Sequence, residues 1–300
     1  MVQYNSFNSW GWLDTMPPDI MASTEVVLGD VRDPNSAMQF AADAEVIYHL
    51  AALISIPYSY AAPRSYVDVN VVGTLNILEA ARSHRSPRVV HTSTSEVYGS
   101  ARRVPIDESH PIQAQSPYAA TKAAADKLVE SYHLSFDVPV VTLRPFNTYG
   151  PRQSARAIIP TIISQLAAGP GDVRLGALSP TRDFTFVTDT AEAFLAVGTA
   201  PSDRVVGRVL NSGTGREISI GELVTTIARI MGRTVEVREE PERLRPPDSE
   251  VQRLVCDSSE LRTRTGWEPL HTLEVGLRMT AEWFLVPGNL SRYRWESYNV

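Results

Sequence analysis

The stretch Tyr118-Ala-Ala-Thr-Lys122 sets a tyrosine and a lysine four positions apart. At that spacing the two side chains lie one above the other on a single helix face. A phenol ordinarily titrates near ~10, too high for a general base at neutral pH. A neighbouring ammonium favours the phenolate and brings that value down, so the pair is a candidate proton-transfer device. Tyr-x-x-x-Lys also fits an ordinary amphipathic helix, and the surroundings decide between the two. Upstream, Val89-Val-His-Thr-Ser-Thr-Ser-Glu-Val-Tyr-Gly99 reads as a strand ending in hydroxyls and a carboxylate. Downstream, Val140-Val-Thr-Leu-Arg-Pro-Phe-Asn-Thr-Tyr-Gly150 reads as another strand ending in polar groups. Strand, helix and strand bring three polar sets to one edge of a sheet, where open α/β folds bind their ligands.

Outward from this centre the first half keeps a regular rhythm. Strands are expected at 26–28, 46–50, 88–92 and 138–143, and helices at 36–42, 68–82 and 117–134, with Pro117 in the first turn of the last. In the helix at 68–82, Val71, Leu75, Ile77 and Leu78 point inward. Strands alternating with helices predict a parallel, doubly wound sheet. After Gly150 the rhythm changes. A helix at 157–168 is ended by Gly169-Pro-Gly171, short strands follow near 173–175, 183–187, 209–211 and 234–238, and a helix spans 190–198. Ser219 with Glu222 forms a capping box at the start of a further helix. Pro241 to Asp248 is a Pro- and Arg-rich loop. One helix runs from Ser258 to Gly266 and the last from Leu273 to Phe284. The segment beginning Val2-Gln-Tyr4 looks like the end of a strand, with 5–12 a polar-aromatic loop. The tail from Val286 is expected to be loosely ordered.

Composition bounds the function. The chain has 300 residues, 43% hydrophobic and 21% charged, ordinary for a soluble globular enzyme with an ample core. A net charge of −6 argues against a general nucleic-acid or membrane-surface role. Cys256 is the only cysteine, which excludes an intramolecular disulfide and a Cys-rich zinc site and fits a cytoplasmic location. No apolar run is long enough to span a bilayer. His49, His91, His110 and His133 lack metal-ligand spacing, so no metal is expected. Asn289-Leu-Ser291 fits the glycosylation sequon but is read as chance, because no signal-peptide pattern accompanies it.

These residues resemble the extended short-chain dehydrogenase/reductase family, in its NAD-dependent nucleotide-sugar epimerase and dehydratase branch. The resemblance runs from Gly29 to about Phe284. It is carried by His49-Leu-Ala-Ala52, Asn70-Val-Val-Gly-Thr74, Thr92-Ser-Thr-Ser-Glu-Val-Tyr-Gly99, Tyr118 and Lys122. It continues through Arg144-Pro-Phe-Asn-Thr-Tyr-Gly-Pro-Arg152, Arg182-Asp-Phe184, Val187-Thr-Asp189 and Asn211. Tyr58-Ser-Tyr60, Gln115-Ser-Pro117 and Gln153-Ser-Ala-Arg-Ala157 look most like dehydratases of the legionaminic acid pathway, which act on a nucleotide-linked N-acetylglucosamine. The implied fold is α/β: a Rossmann-like doubly wound parallel sheet over residues 1–150, a smaller substrate-binding region over 151–287, and a tail at 288–300. The family's Gly-x-x-Gly-x-x-Gly turn, which lets a dinucleotide pyrophosphate reach helix N–H groups, occurs nowhere in the sequence. Against the family, the chain therefore reads as N-terminally truncated. A misplaced start or a fragment is the preferred explanation, and a truncated product with weak or no coenzyme binding is the other.

The resemblance also implies roles. Tyr118 takes the sugar C4 hydroxyl proton while hydride passes from C4 to NAD; a base then removes the C5 proton, water leaves from C6 and hydride returns there. Elimination needs a carboxylate beside the sugar, and Glu96 supplies one where simple 4-epimerases usually lack it. Ser95 stands where many dehydratases carry an aspartic acid, leaving the general acid open, with Glu96 a candidate shuttle. Thr94 is the hydroxyl partner near Tyr118, and Lys122 orients the nicotinamide ribose. Asp30 and Val31 would meet the adenine, and Leu50, Ala51, Ala52, Asn70 and Ser93 would line the coenzyme's path. Asn147, Arg152, Arg182, Asn211 and Arg245 are the substrate-side candidates, the arginines matching phosphate bidentately. Partners implied are a nucleotide sugar and a second copy, through a four-helix dimer interface. A UDP-glucuronate decarboxylase, whose relatives also carry Ser-Thr-Ser-Glu-Val-Tyr-Gly, a 4-epimerase, and a non-catalytic sugar-nucleotide-binding remnant are the competing readings.

Overall fold

The structure is a computed structural model that describes residues 1–84, 87–169, 171–286 and 288–299. Pro170 of the expected helix terminator, and the boundary residues Pro287 and Val300, lie outside the described residues. The strands are β1 (Val46–His49), β2 (Arg88–Thr92), β3 (Val140–Pro145), β4 (Asn147–Tyr149), β5 (Asp172–Leu175), β6 (Thr181–Phe186), β7 (Val209–Ser212), β8 (Glu217–Ser219) and β9 (Glu236–Glu239). The main sheet is all-parallel in the order β1-β2-β3-β7, with Ile47 opposite Val89, Val90 opposite Val141 and Leu143 opposite Leu210. Its central strands read as near-continuous apolar runs because both faces are covered. The pleat sends alternate residues to opposite sides. Val89 and Val140 meet Ile77, Leu78, Ala81, Val129 and Tyr132 on one face, while Val90, Val141 and Leu143 meet Ala193, Val197, Leu261 and Trp267 on the other.

The helix Pro117–Phe136 carries the Tyr-Lys pair. It starts where the sequence says it should: Ser116 caps it by accepting from the Ala119 N–H, and Pro117 fills the first turn without wasting a donor. It ends at Asp137, whose left-handed φ of 54° turns the chain toward β3. The helix expected at 68–82 differs in detail. Val67–Val72 is a widened π-type turn, and a regular helix follows over Gly73–Ser83. The wide turn aims Asn70 inward, a use to which such turns are often put at functional sites.

The strand expected at 26–28 is reduced to one parallel bridge between Val2 and Leu28. Among the described residues neither of these pairs with β1, so β1 is paired only on its β2 side. The second half builds a parallel-antiparallel sheet β4-β6-β8 and a parallel pair β5-β9 around one apolar cluster. The capping box of Ser219 and Glu222 forms as expected.

The tail overturns its expectation. Leu290–Arg292 is a 3-10 turn, and Tyr293 is buried against Phe284 at a ring distance of 4.6 Å. The phenol of Tyr293 donates to the Gln153 carbonyl at 2.8 Å. Trp12, from the loop near the start of the chain, meets Trp283 edge-on at 5.5 Å and stacks on Tyr293 at 6.4 Å. Large aromatic rings bury enough surface to order segments that polarity alone would leave loose.

Candidate active site

Tyr118 and Lys122 sit on the inward face of their helix, and Asp126 follows one turn later. All three are buried. The Tyr118 hydroxyl is hydrogen-bonded with Thr94, which stands just beyond β2, and its ring meets Tyr66 edge-on at 6.2 Å. Thr94 in turn accepts from the Glu96 N–H at 3.2 Å, which opens the turn Ser95–Tyr98 and fixes where the Glu96 carboxylate stands. Ser95 is buried beneath that turn, and Glu96 is partly exposed. Thr94, Ser95, Glu96, Tyr118 and Lys122 thus converge at the C-terminal end of the parallel sheet.

The electrostatics correct one expectation. Burial pushes the Tyr118 phenol well above its ordinary value; the Thr94 hydrogen bond opposes this, and the negative charges of Glu96 and Asp126 add to it. Lys122 by itself does not lower it, because desolvation of a phenolate outweighs a cation that is not in contact. Burial likewise lowers the Lys122 ammonium to about 8, with Asp126 pulling it back up.

The residues expected along the coenzyme's path separate into two groups. Leu50 and Ala51 are exposed, and Asp30 lines a cavity of about 420 Å³ with Arg32, Asp33, Asp68 and Val72. Ala52 is partly exposed. The others are spent on the protein itself. Val31 packs its side chain against Gly73, Ser93 donates to Asp126 at 2.8 Å, and Asn70 bridges Leu53 and Thr121. Asn70 therefore ties the loop after β1 to the Tyr-Lys helix. Asp30 also holds Arg32 at 2.5 Å.

The substrate candidates likewise divide. Arg182 is buried, feels the Glu96 carboxylate and donates to Glu250 at 3.1 Å; Arg245 reaches the same Glu250 oxygen at 3.5 Å. Two guanidinium groups on one carboxylate oxygen form a ready anion clamp. The Asn147 Oδ1 is buried with no hydrogen-bond partner among the described residues, the condition of an acceptor waiting for a donor. Asn211 is not free in this way: its amide accepts from Tyr98 and donates to the Ile106 carbonyl. Arg152 is exposed at a left-handed φ of 68°.

The comparisons with known proteins agree with this geometry. The family described as GDP-mannose 4,6 dehydratase matches residues 1–280. The chain is 38% identical over 244 residues to the UDP-glucose 4-epimerase of Mycolicibacterium smegmatis, covering 80% of this chain and 76% of that protein. The chain belongs to the GDP-mannose 4,6 dehydratase family. Another relative is the dTDP-glucose 4,6-dehydratase of Xanthomonas campestris, 31% identical over 274 residues, covering 85% of this chain and 73% of that protein. Among solved structures, the dTDP-glucose 4,6-dehydratase DesIV from Streptomyces venezuelae, a double mutant with NAD bound, superposes with a TM-score of 0.79 at 27% identity. That match covers 88% of this chain and 82% of DesIV. The Rossmann-like parallel sheet is therefore shared with the family, which contains both dehydratases and epimerases of nucleotide sugars.

Sequence reasoning missed several residues that the structure sets beside these candidates. Asp126 follows the Tyr-Lys pair on the helix, Tyr66 meets Tyr118 edge-on, and Glu250 joins the two arginines. Only Asp126 left a readable signal, its position four residues beyond Lys122. Tyr66 and Glu250 arrive from segments distant in sequence, and nothing local announces them.

Proposed function

We propose that this protein catalyses the NAD-dependent dehydration of a nucleotide-linked hexose, of the N-acetylglucosamine type, to a 4-keto-6-deoxy sugar nucleotide. The observation that carries the proposal is the Glu96 carboxylate beside the Thr94–Tyr118 pair. A coenzyme fits the residues present at both of its ends: Lys122 is a buried cation without a carboxylate within 4 Å among the described residues, and Asp30 lines a cavity of about 420 Å³. Bound NAD supplies the hydride acceptor, later the donor, and a positive charge near the phenol. Lys122 and the 50–52 loop would hold it.

The chain's own residues then divide the proton work. Tyr118, oriented by Thr94 and acting as the phenolate that the Lys122 ammonium and the coenzyme's positive charge together would favour, accepts the C4 hydroxyl proton. The resulting ketone acidifies C5, and the Glu96 carboxylate takes that proton. With Ser95 carrying no carboxyl group, the protonated Glu96 returns the proton to the departing C6 hydroxyl, which leaves as water. Arg182 and Arg245 exchange their shared carboxylate for the substrate diphosphate, and Asn147 accepts from the ligand. Tyr58 and Tyr60 support the legionaminic-type substrate: Tyr58 packs on Tyr66 at 6.1 Å and the Tyr60 hydroxyl bonds Ser249 at 2.6 Å, beside the arginine clamp. A cytoplasmic homodimer through the helices at 73–83 and 117–136 completes the reading.

The test is product mass. Incubation with NAD and UDP-N-acetylglucosamine should give a product lighter by one water. A product lighter by carbon dioxide from UDP-glucuronate makes the protein a decarboxylase. An isomer of unchanged mass makes it a 4-epimerase, the second reading, which the 38% identity to a 4-epimerase favours. No heat on calorimetric titration with NAD would leave a sugar-nucleotide-binding remnant.

A further inference from the structure

The helix face that carries Tyr118 and Lys122 continues to Asp126, and the function above leaves Asp126 without a role. Its two oxygens are fully engaged. Oδ1 lies 3.1 Å from His91 Nε2 on β2. Oδ2 accepts from Ser93 Oγ at 2.8 Å and from Arg144 Nε and Nη2 at 3.1 and 2.9 Å. Arg144 is anchored in its turn by the Tyr98 hydroxyl at 2.9 Å. All of these groups are buried. Lys122 has no carboxylate within 4 Å among the described residues, yet residues four apart on a helix keep their Cβ atoms about 5–6 Å apart.

We propose that Asp126 is a positioning residue whose carboxylate, pinned to β2 and β3, keeps Lys122 an ammonium one helical turn away. The argument is one of counting buried charge. The titratable groups coupled to Lys122 are His49 on β1, His91 on β2 and Asp126 on its own helix, which also carries Tyr118; Arg144 on β3, held by Tyr98 from the turn after β2, joins the cluster through Asp126 and His91. Burial keeps both histidines uncharged, and it pushes the Tyr98 phenol up to about 12. Thr121 and Asn70 contribute only neutral hydrogen bonds. That leaves two cations, Lys122 and Arg144, and one anion, Asp126, in a low-dielectric interior. Without Asp126 the buried cluster keeps two positive charges and no negative one. A guanidinium does not give up its proton in a protein, so the lysine would. A neutral Lys122 could neither steady a phenolate at Tyr118 nor offer three donors to a ligand.

The inference rests on Lys122 serving the Tyr118 site, but its test reads ionisation and not turnover. The chain contains only two lysines, Lys122 and Lys127. Protein labelled with ¹³C-lysine therefore gives two ε-methylene NMR signals, and Lys127→Arg assigns them. In the unsubstituted chain the Lys122 signal should titrate with a midpoint of about 8. Asp126→Asn should move that midpoint down by about one pH unit or more, a tenfold loss of ammonium, and Asp126→Glu should restore part of it. An unmoved midpoint in Asp126→Asn overturns the proposal. Should Asp126→Asn fail to fold, Arg144→Met and Asp126→Asn/Arg144→Met form a second pair without an orphaned guanidinium. The double variant must titrate lower than the single one, and equal midpoints overturn the proposal. Failure of the dehydratase reading would appear only in product mass and would leave these titrations unchanged.

Discussion

Two carboxylates act on Tyr118, one from the turn after β2 and one from its own helix, and they are built differently. The rear one, Asp126 on the helix, is closed in by His91, Ser93 and Arg144, with every oxygen used. The front one, Glu96, is partly exposed, faces Arg182 and sits on a short turn held by Thr94. The same contrast extends to their surroundings. At the rear both oxygens of Asp126 are paired, and His91 Nδ1 is the one atom of that group without a partner among the described residues. The front holds an orphaned Asn147 acceptor and two arginines sharing one oxygen of Glu250. A buried carboxylate that is fully paired fixes geometry, whereas groups left partly unpaired are available to a ligand.

Substitutions can break this contrast. Glu96→Gln should cut turnover by about 10²–10⁴-fold if it is the acid–base group, while stability stays within about 0.5 kcal/mol. Steady-state kinetics on nucleotide sugar together with urea unfolding separate the two effects. Asp126→Ala should do the reverse first: orphaning a buried guanidinium costs about 3–5 kcal/mol, visible as a lower unfolding midpoint. If both substitutions behaved alike, front and rear would not be distinct.

The pH dependence sharpens the comparison further. Turnover should fall as pH rises through about 8, where Lys122 loses its proton. Stability should move the other way. The folded lysine is depressed from 10.5 to about 8, so above 8 the unfolded chain binds the extra proton and stability rises with pH until about 10.5. A turnover profile flat across that window would remove Lys122 from the chemistry. As a control remote from both carboxylates, Ser219→Ala should cost about 1 kcal/mol through loss of the capping box, with turnover unchanged.

How much of this was legible follows from the range of each interaction. The Ser116–Pro117 start of the long helix, the Ser219–Glu222 cap and the β2 boundaries at Arg88 and Thr92 were readable because caps, prolines and apolar runs act within a few residues. The same reading missed the π-type turn at Val67–Val72, whose cause is the contact of Asn70 with Leu53 and Thr121. It also called the tail loose, because the apolar partners of Tyr293 lie on a different helix and in a loop near the start of the chain. Ser93, Asn70, Val31 and Asn211 were expected to meet coenzyme or substrate, but their side chains are engaged with the protein itself.

The sequence by itself determined the parallel sheet, the helix face shared by Tyr118 and Lys122, and the run of hydroxyls ending in Glu96. Each of these depends on spacing along one segment, and spacing is fixed by covalent geometry. Tertiary structure alone decided which polar groups stay free. It set Asp126 against Arg144, gave Glu250 to two arginines and pushed the Tyr118 phenol upward instead of down. Those outcomes depend on burial and on partners from distant segments, and desolvation acts on a charge only once the chain has closed around it.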